Sequence, residues 1–278
     1  MYDDSPEWRV MFNMLEAMYH NHPVKIDIAG TVESISKITA QGLYDCYNTF
    51  YNLHNMVLCV CGGTTPEEVL NIADDMLKAA PKAKVQSYFE DEPYEVKTTY
   101  VEQAFPVTME LFNLGFKEKA GAEQISNKLL AQTEVLLAAI ASSTADLYRE
   151  LMDEGLINQS FSYELFEGPG FLSVIFGGES RNPKGAAKKI KEYIAKVKQT
   201  GISKADFEIS KKALYGDAIS ALNSVDTIGN MLVDSHFTSR EFFGYVDEIA
   251  AVTFEEANNR LKEILDVNNT SLSIITKQ

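Results

Sequence analysis

Gly30–Cys61 reads GTVESISKITAQGLYDCYNTFYNLHNMVLCVC and Gly244–Ile275 reads GYVDEIAAVTFEEANNRLKEILDVNNTSLSII; a shift of 214 positions lays one on the other without a gap. Gly30 meets Gly244, Val32 meets Val246, Ile35 meets Ile249, Ile38 meets Val252, Thr39 meets Thr253, and Asn55 falls on Asn269. Between these anchors Leu43, Tyr47, Phe50 and Tyr51 fall on Ala257, Leu261, Ile264 and Leu265, so both copies carry an apolar face at i, i+4, i+7, i+8 spacing. Each copy is therefore predicted to hold an amphipathic helix followed by a strand. The threonine stands at the N-cap, where its hydroxyl accepts a bond from a free amide of the first turn, and the asparagine opens the strand. In the first strand Met56, Leu58 and Val60 line one face and Val57, Cys59 and Cys61 the other, so it reads as a strand covered on both sides. Chance recurrence is the alternative, because helix–strand endings of this kind are common.

A fixed offset sets the organisation before any single element does. If the copies end near Gly63 and at Gln278, the second runs 214 residues from about residue 65, about 64 residues of the first are present, and roughly 150 more would complete a symmetric pair. The expected domains are the remnant of a first repeat over 1–64, a connecting helix and linker over 65–93, and a second repeat over 94–278. Elsewhere, Trp8–Tyr19 is predicted helical and stops before Pro23. Thr65 and Pro66 open a helix over Glu67–Ala80, and Pro81–Pro93 is the linker. KTTYVEQAF (97–105) and VTMELFNLGF (107–116) are predicted to be neighbouring strands. Helix follows over Glu123–Met152, broken near Ser142-Ser143, then two strands joined at Glu167–Gly170, and helices over Asn182–Gln199 and Lys204–His236. The fold class is α+β, with helices packed on a largely antiparallel sheet.

With 278 residues, 45% of them hydrophobic, the chain has enough apolar material for a sizeable core. A formal charge of -15 and a pI near 4.7 oppose nonspecific adhesion to nucleic acid or an anionic membrane. Three cysteines, Cys46, Cys59 and Cys61, do not form a secreted disulfide framework. The start MYDDSPEWRV lacks the basic, apolar character of a signal peptide, and no apolar run approaches the roughly 20 residues of a membrane span. A soluble, cytoplasmic protein is expected.

The residues with chemistry are weighed one by one. His20-x-His22 has no cysteine pair or carboxylate at ligand spacing and Pro23 ends the helix, so a surface pair is expected. Cys59-x-Cys61 sits in an apolar run and reads as two small core residues. Asp234-Ser235-His236 has the residue types of a hydrolase triad, but consecutive helical positions point about 100° apart and cannot bond in series. Gly62-Gly63-Thr64-Thr65 lacks the lysine of a phosphate loop, and Glu67 and Glu68 put negative charge where a phosphate would rest. Arg181–Lys198 carries seven basic residues and one Glu; Ala187, Ile190, Ile194 and Val197 fit one helical face, so the lysines are expected toward solvent, with an acidic partner as the alternative. Asp74-Asp75, Glu90-Asp91-Glu92 and Glu255-Glu256 are sequence neighbours and read as solvated surface. No H-E-x-x-H or H-x-x-E-H occurs. No catalytic, cofactor-binding or metal residue is assigned.

NHPVKIDIAGTVESISKIT (21–39) followed by LYDCYNTFYNLHNMVLCVCGG (43–63) resembles the segment closing the first half of pitrilysin/insulinase-type zinc peptidases, especially bacterial processing-peptidase-like members. STADLYRELMDEGLINQSFSYELF (143–166) is similar to the family's second-half helix and following strand, and the resemblance covers essentially the entire chain. It implies the mitochondrial-processing-peptidase-like metallohydrolase fold, two similar α+β halves per subunit. It also implies a zinc held by the two histidines of H-x-x-E-H and a downstream glutamate, with the motif's glutamate activating water. None of these residues can be carried onto this sequence. The Arg and Tyr that some members lend from the second half are not transferred either; Arg181 is present near Gly170–Ala187, but no matching tyrosine.

The expected function is the C-terminal, non-catalytic half of such a peptidase, one wall of a peptide-enclosing chamber that binds peptide by strand-edge addition. Inactive alone, it would need zinc from the full-length parent or a partner chain. Expected partners are a related peptidase-family chain, as homo- or heterodimer, and peptide or unfolded polypeptide, with no nucleic acid and no membrane. The alternative is a non-proteolytic assembly subunit that pairs with a related chain. A further alternative is a metal or redox protein using His20, His22 and the cysteine pair.

Overall fold

The structure is a computed structural model that describes residues 4–80 and 85–278; the 81–84 part of the expected linker lies outside the described residues. The elements run α1 Pro6–Met18, α2 Val32–Ser36, α3 Ala40–Phe50, α4 Pro66–Met76, β1 Tyr100–Phe105, β2 Glu110–Lys117, α5 Asn127–Ala141, α6 Asp146–Asp153, β3 Ser162–Gly168 and β4 Phe171–Ser180. They continue as α7 Pro183–Thr200, α8 Lys204–Ala221, α9 Val225–Thr238, α10 Phe242–Ala251, α11 Phe254–Glu263 and β5 Thr270–Lys277. The chain divides into two compact units, one of residues up to Ala29, Phe89–Tyr215 and Asp247–Gln278, the other of Gly30–Tyr88 and Gly216–Val246.

The first unit is a five-stranded sheet in the order β1-β5-β2-β4-β3. Three pairings are antiparallel and β1 with β5 is parallel, which bears out the α+β class. The two predicted strands β1 and β2 are not neighbours: β5 enters between them, placing Leu272 opposite both Tyr100 and Leu114. Local β-propensity locates strands, but a partner some 150 residues away in the chain leaves no local trace. One face of the sheet is covered by α1. Ser5 accepts from the Trp8 amide, Pro6 occupies the first turn, and Val10, Met14 and Met18 recur every fourth residue into the core. The helix approaches β2 over Gly115, where a Cβ would collide with Met18 Sδ and lie 2.8 Å from Met14 Sδ. Gly115→Val is expected to cost about 1–3 kcal/mol by overpacking, measured by urea denaturation.

Asn269 ties this unit together at the entry to β5. Its amide nitrogen donates to Tyr94 O at 2.9 Å and Lys117 O at 3.0 Å, and its oxygen accepts from the Val96 amide at 2.9 Å. The approach to β1 is thereby clamped against β2.

In the second unit, α3 begins 214 residues before α11, and the caps match: Thr39 accepts from the Gly42 amide as Thr253 accepts from Glu256. Burial does not match. Tyr47 is 56% exposed and its counterpart Leu261 1%. The expected covered strand at Met56–Cys61 is a correction: it makes no strand ladder among the described residues, and Met56, Leu58 and Val60 are exposed. A strand is defined by its neighbours, and those that β5 receives from β1 and β2 have no equivalent beside Met56–Cys61 among the described residues.

Candidate peptide-binding edge

β1 is one edge of the sheet, and the other side of the strand is open among the described residues. Leu272 N donates to Thr99 O and Gln278 N to Phe105 O, so odd-numbered residues of β1 face β5. The backbone groups of Tyr100, Glu102 and Ala104 therefore point outward, available to an added strand.

A concavity flanks each face of this edge. On the α7 side a 520 Å³ cavity has the cross-strand row Tyr100, Leu272 and Leu114 as floor and Lys184, Lys188 and Lys191 in its wall. The helix sequence sets this up: Asn182 caps Gly185, Ala187, Ile190, Ile194 and Val197 are buried, and lysines at i, i+4, i+7 fall on the flank. Lys184 Nζ lies 3.4 Å from the Glu102 carboxylate and 4.9 Å over the Tyr100 ring, while Lys191 donates to Thr270 Oγ1 at 3.2 Å. Burial, then the bond to Glu102, pushes the Tyr100 phenol above its ordinary value. On the α1 side a 280 Å³ cavity is lined by Asn13, Glu16, Lys97, Thr98 and Val101. Side chains of an added strand alternate between the two faces, so one set meets the lysine groove and the other the α1 groove.

Behind the edge lies a buried polar cluster. Lys117 is 2% exposed; its ammonium pairs with Glu92 at 2.6 Å, donates to Met18 O and Glu95 O, and sits 4.9 Å over the Tyr19 ring. Glu92 also accepts from the backbone amides of His20, Asn21 and His22 at 2.7–2.8 Å. Burial would raise the Glu92 carboxyl, but Lys117 and these three amides outweigh it and hold it at about 2. Glu92 is thus a buried anchor, correcting the reading of Glu90-Asp91-Glu92 as surface. Tyr19 Oη shares a 2.5 Å bond with Ser173 Oγ, and burial pushes its phenol to about 12.

A family profile described as "Peptidase M16 inactive domain" matches residues 37–214. The chain belongs to this family. Among curated proteins, it is 32% identical over 270 residues to an uncharacterized zinc protease, YmfH, of Bacillus subtilis (strain 168), covering 95% of this chain and 62% of the relative. A second zinc protease of that organism, YmxG, is 26% identical, with 95% and 64% covered. The chain thus spans less than two thirds of these relatives. A solved M16-like peptidase from Alicyclobacillus acidocaldarius superposes with a TM-score of 0.93 at 30% identity, covering 100% of this chain and 67% of that one. The resemblance to pitrilysin-type peptidases and the fold it implied are borne out.

The zinc of M16 peptidases finds no ligand set here: among the described residues no three His, Cys, Asp or Glu side chains form a group able to hold a metal ion. His22 is 3% exposed, a correction of the expected surface pair. Its Nδ1 accepts from the Val24 amide and Nε2 lies 3.0 Å from Pro169 O, so the proton sits on Nε2 and neither nitrogen is left for a metal. Burial lowers its pKa, in keeping with a neutral ring stacked 4.7 Å from Phe89. Cys59 and Cys61 are half-buried free thiols 3.8 Å apart, not core residues as expected, and contact with Cys59 raises the Cys61 pKa, opposite to an activated thiol. Asp234, Ser235 and His236 lie in series along α9. Thr65 and Glu68 form a reciprocal capping box, so the Gly62–Thr65 turn opens α4. Of the other paired acids, Glu256 is drawn into a 2.9 Å pair with Lys128 that holds it at about 2. No helix of the described residues is long and apolar enough to cross a membrane.

Proposed function

We propose that this chain is the non-catalytic half of an M16 zinc peptidase, with residues 94–278 as its second repeat. It forms one wall of a peptide-holding chamber while a related chain or lobe carries the zinc. The observation that carries this reading is the match to the inactive M16 domain, joined to an open β1 edge with a groove on either face. Peptide pairs with the outward backbone groups of Tyr100, Glu102 and Ala104. Carboxylates on its α7 side meet Lys184, Lys188 and Lys191. The free cysteines support a cytoplasmic setting.

Fluorescence anisotropy tests the edge. A labelled extended peptide with glutamate at alternate positions is expected to bind more tightly than one with lysine there. Ala104→Pro removes an outward N–H without touching the β5 ladder, and is expected to weaken binding roughly tenfold with the fold retained. The purified chain alone is expected to hydrolyse no peptide. Chelator-sensitive cleavage by the pure chain, or equal peptide affinity in the proline variant, would overturn the reading.

A further inference from the structure

The three free cysteines are not equivalent. Cys46 stands exposed on α3, whereas Cys59 and Cys61 are half-buried with their sulfurs 3.8 Å apart. Residues two apart on an extended backbone project to one face with roughly 6.6 Å between Cα atoms, inside the span that a disulfide bridges. Side-chain rotation and a small backbone turn therefore carry the two sulfurs from contact to a bonding distance of about 2.05 Å. The surroundings leave room for that movement. Gly229 of α9 faces Cys61, and the nearest atoms to a Cβ added there would be Cys61 Sγ at 3.6 Å and Cys61 Cβ at 4.0 Å. The missing side chain keeps the helix from crowding the thiol. Downstream, Gly62 has a φ of 148°, and a Cβ at Gly62 or Gly63 would meet nothing within 4 Å. Glycine tolerates backbone torsions closed to other residues, so this turn can absorb the closing of a small ring. No strand ladder among the described residues holds 56–61 against it.

We propose that Cys59 and Cys61 form a thiol–disulfide exchange site, closed by a low-molecular-weight disulfide, represented by glutathione disulfide, and reopened by its reduced thiol. The Cys59 thiolate attacks one sulfur of the oxidant; that S–S bond breaks, one glutathione thiolate leaves, and Cys59 is held as a mixed disulfide. Cys61 then releases its proton to solvent and attacks the Cys59 sulfur, expelling the second glutathione as thiolate. The two protein thiols lose two electrons and two protons, and the oxidant gains them as two glutathione thiols. The contact sets this order. The bond to Cys59, and after it burial, raise the Cys61 pKa and keep the proton there, so Cys59 attacks and Cys61 resolves. Resolution needs no activated thiol, because the mixed disulfide is formed beside it. A bridge across so short a span, on a half-buried segment, is of the labile kind that a reducing thiol pool reopens.

The site is independent of the peptidase reading and is tested without any assay of hydrolysis. The whole chain is equilibrated in glutathione mixtures of falling reduced-to-oxidised ratio, quenched with acid, and read by intact mass and peptide mapping. The expected product has lost two hydrogens, carries its bond between Cys59 and Cys61, and returns to the dithiol in excess reduced glutathione. Cys61→Ser is expected to stop at one glutathione on Cys59, and Cys59→Ser to take up glutathione at residue 61 roughly tenfold more slowly. The melting temperature of each reduced variant is expected to match the parent, which separates lost chemistry from lost folding. Phenylarsine oxide reads the geometry without oxidation, since its arsenic exchanges oxygen, lost as water, for two neighbouring thiols. One arsenic per parent chain should resist a competing monothiol, and none should in either serine variant. The parent readings depend on no variant. Separate glutathionylation of both cysteines without a bridge, a bridge to Cys46, a bridge that excess reduced glutathione leaves closed, or arsenic retained by a serine variant would overturn the proposal.

Discussion

Glu92→Ala is expected to lower the unfolding free energy of the first unit by about 3–5 kcal/mol, whereas Glu90→Ala, two residues away, changes it by less than about 0.5 kcal/mol. The side chain of Glu92 is 9% exposed and faces a lysine of 2% exposure. Removing the carboxylate strands the Lys117 ammonium and orphans the amides of His20, Asn21 and His22 together. Urea denaturation followed by tyrosine fluorescence reads the difference, and equal midpoints for the two variants would refute the anchor. The acid limb should also move. With its folded pKa near 2, below the ordinary 4.5, Glu92 contributes stability that is present above about pH 4.5 and lost as pH falls toward 2. The alanine variant should lack that part of the acid dependence.

Glu118 is expected to act in the opposite sense. Its carboxyl is 6% exposed and accepts from the Leu265 amide at 2.6 Å; burial, only partly offset by that bond and by Arg260 and Lys198, pushes its pKa to about 7. A carboxyl raised from 4.5 to about 7 binds its proton more tightly folded than unfolded. Stability should therefore be full below about pH 4.5 and fall as pH rises to 7, by on the order of 3 kcal/mol, then level off. Glu118→Gln keeps an acceptor for Leu265, whose φ of 62° needs that support, and carries no charge. The variant should be more stable than the parent above pH 7 and indistinguishable below pH 4.5. Melting temperatures at pH 4, 6 and 8 decide it; a variant that loses stability equally at all three would show that charge plays no part.

Much of the fold was legible because its signals are local. Thr39, Thr65, Thr253 and Asn182 all cap helices, and α7 buries the four apolar residues its spacing selects. The Gly168–Phe171 hairpin is a turn chemistry that announces itself. What stayed hidden depends on partners far along the chain. β5 separates β1 from β2 across about 150 residues, and Glu92 looks like any surface acid until Lys117 arrives from β2. Lys117 carries the one readable hint, since alternation along β2 places it on the same face as Gly115, beneath α1. The candidate edge was foreseen as a mode of binding but not as a place. Which strand is an edge is a property of topology, and the grooves beside β1 form only when α7 and α1 pack on opposite faces of it.

The slot that β5 fills carries a cost during synthesis. β1 and β2 leave the ribosome about 150 residues ahead of the strand that must join them, which at roughly 5–20 residues per second is a wait of some eight to thirty seconds. For that interval the nascent polypeptide holds two unsatisfied strand rims facing one another across a gap, a target for chaperones and for neighbouring chains on the same message.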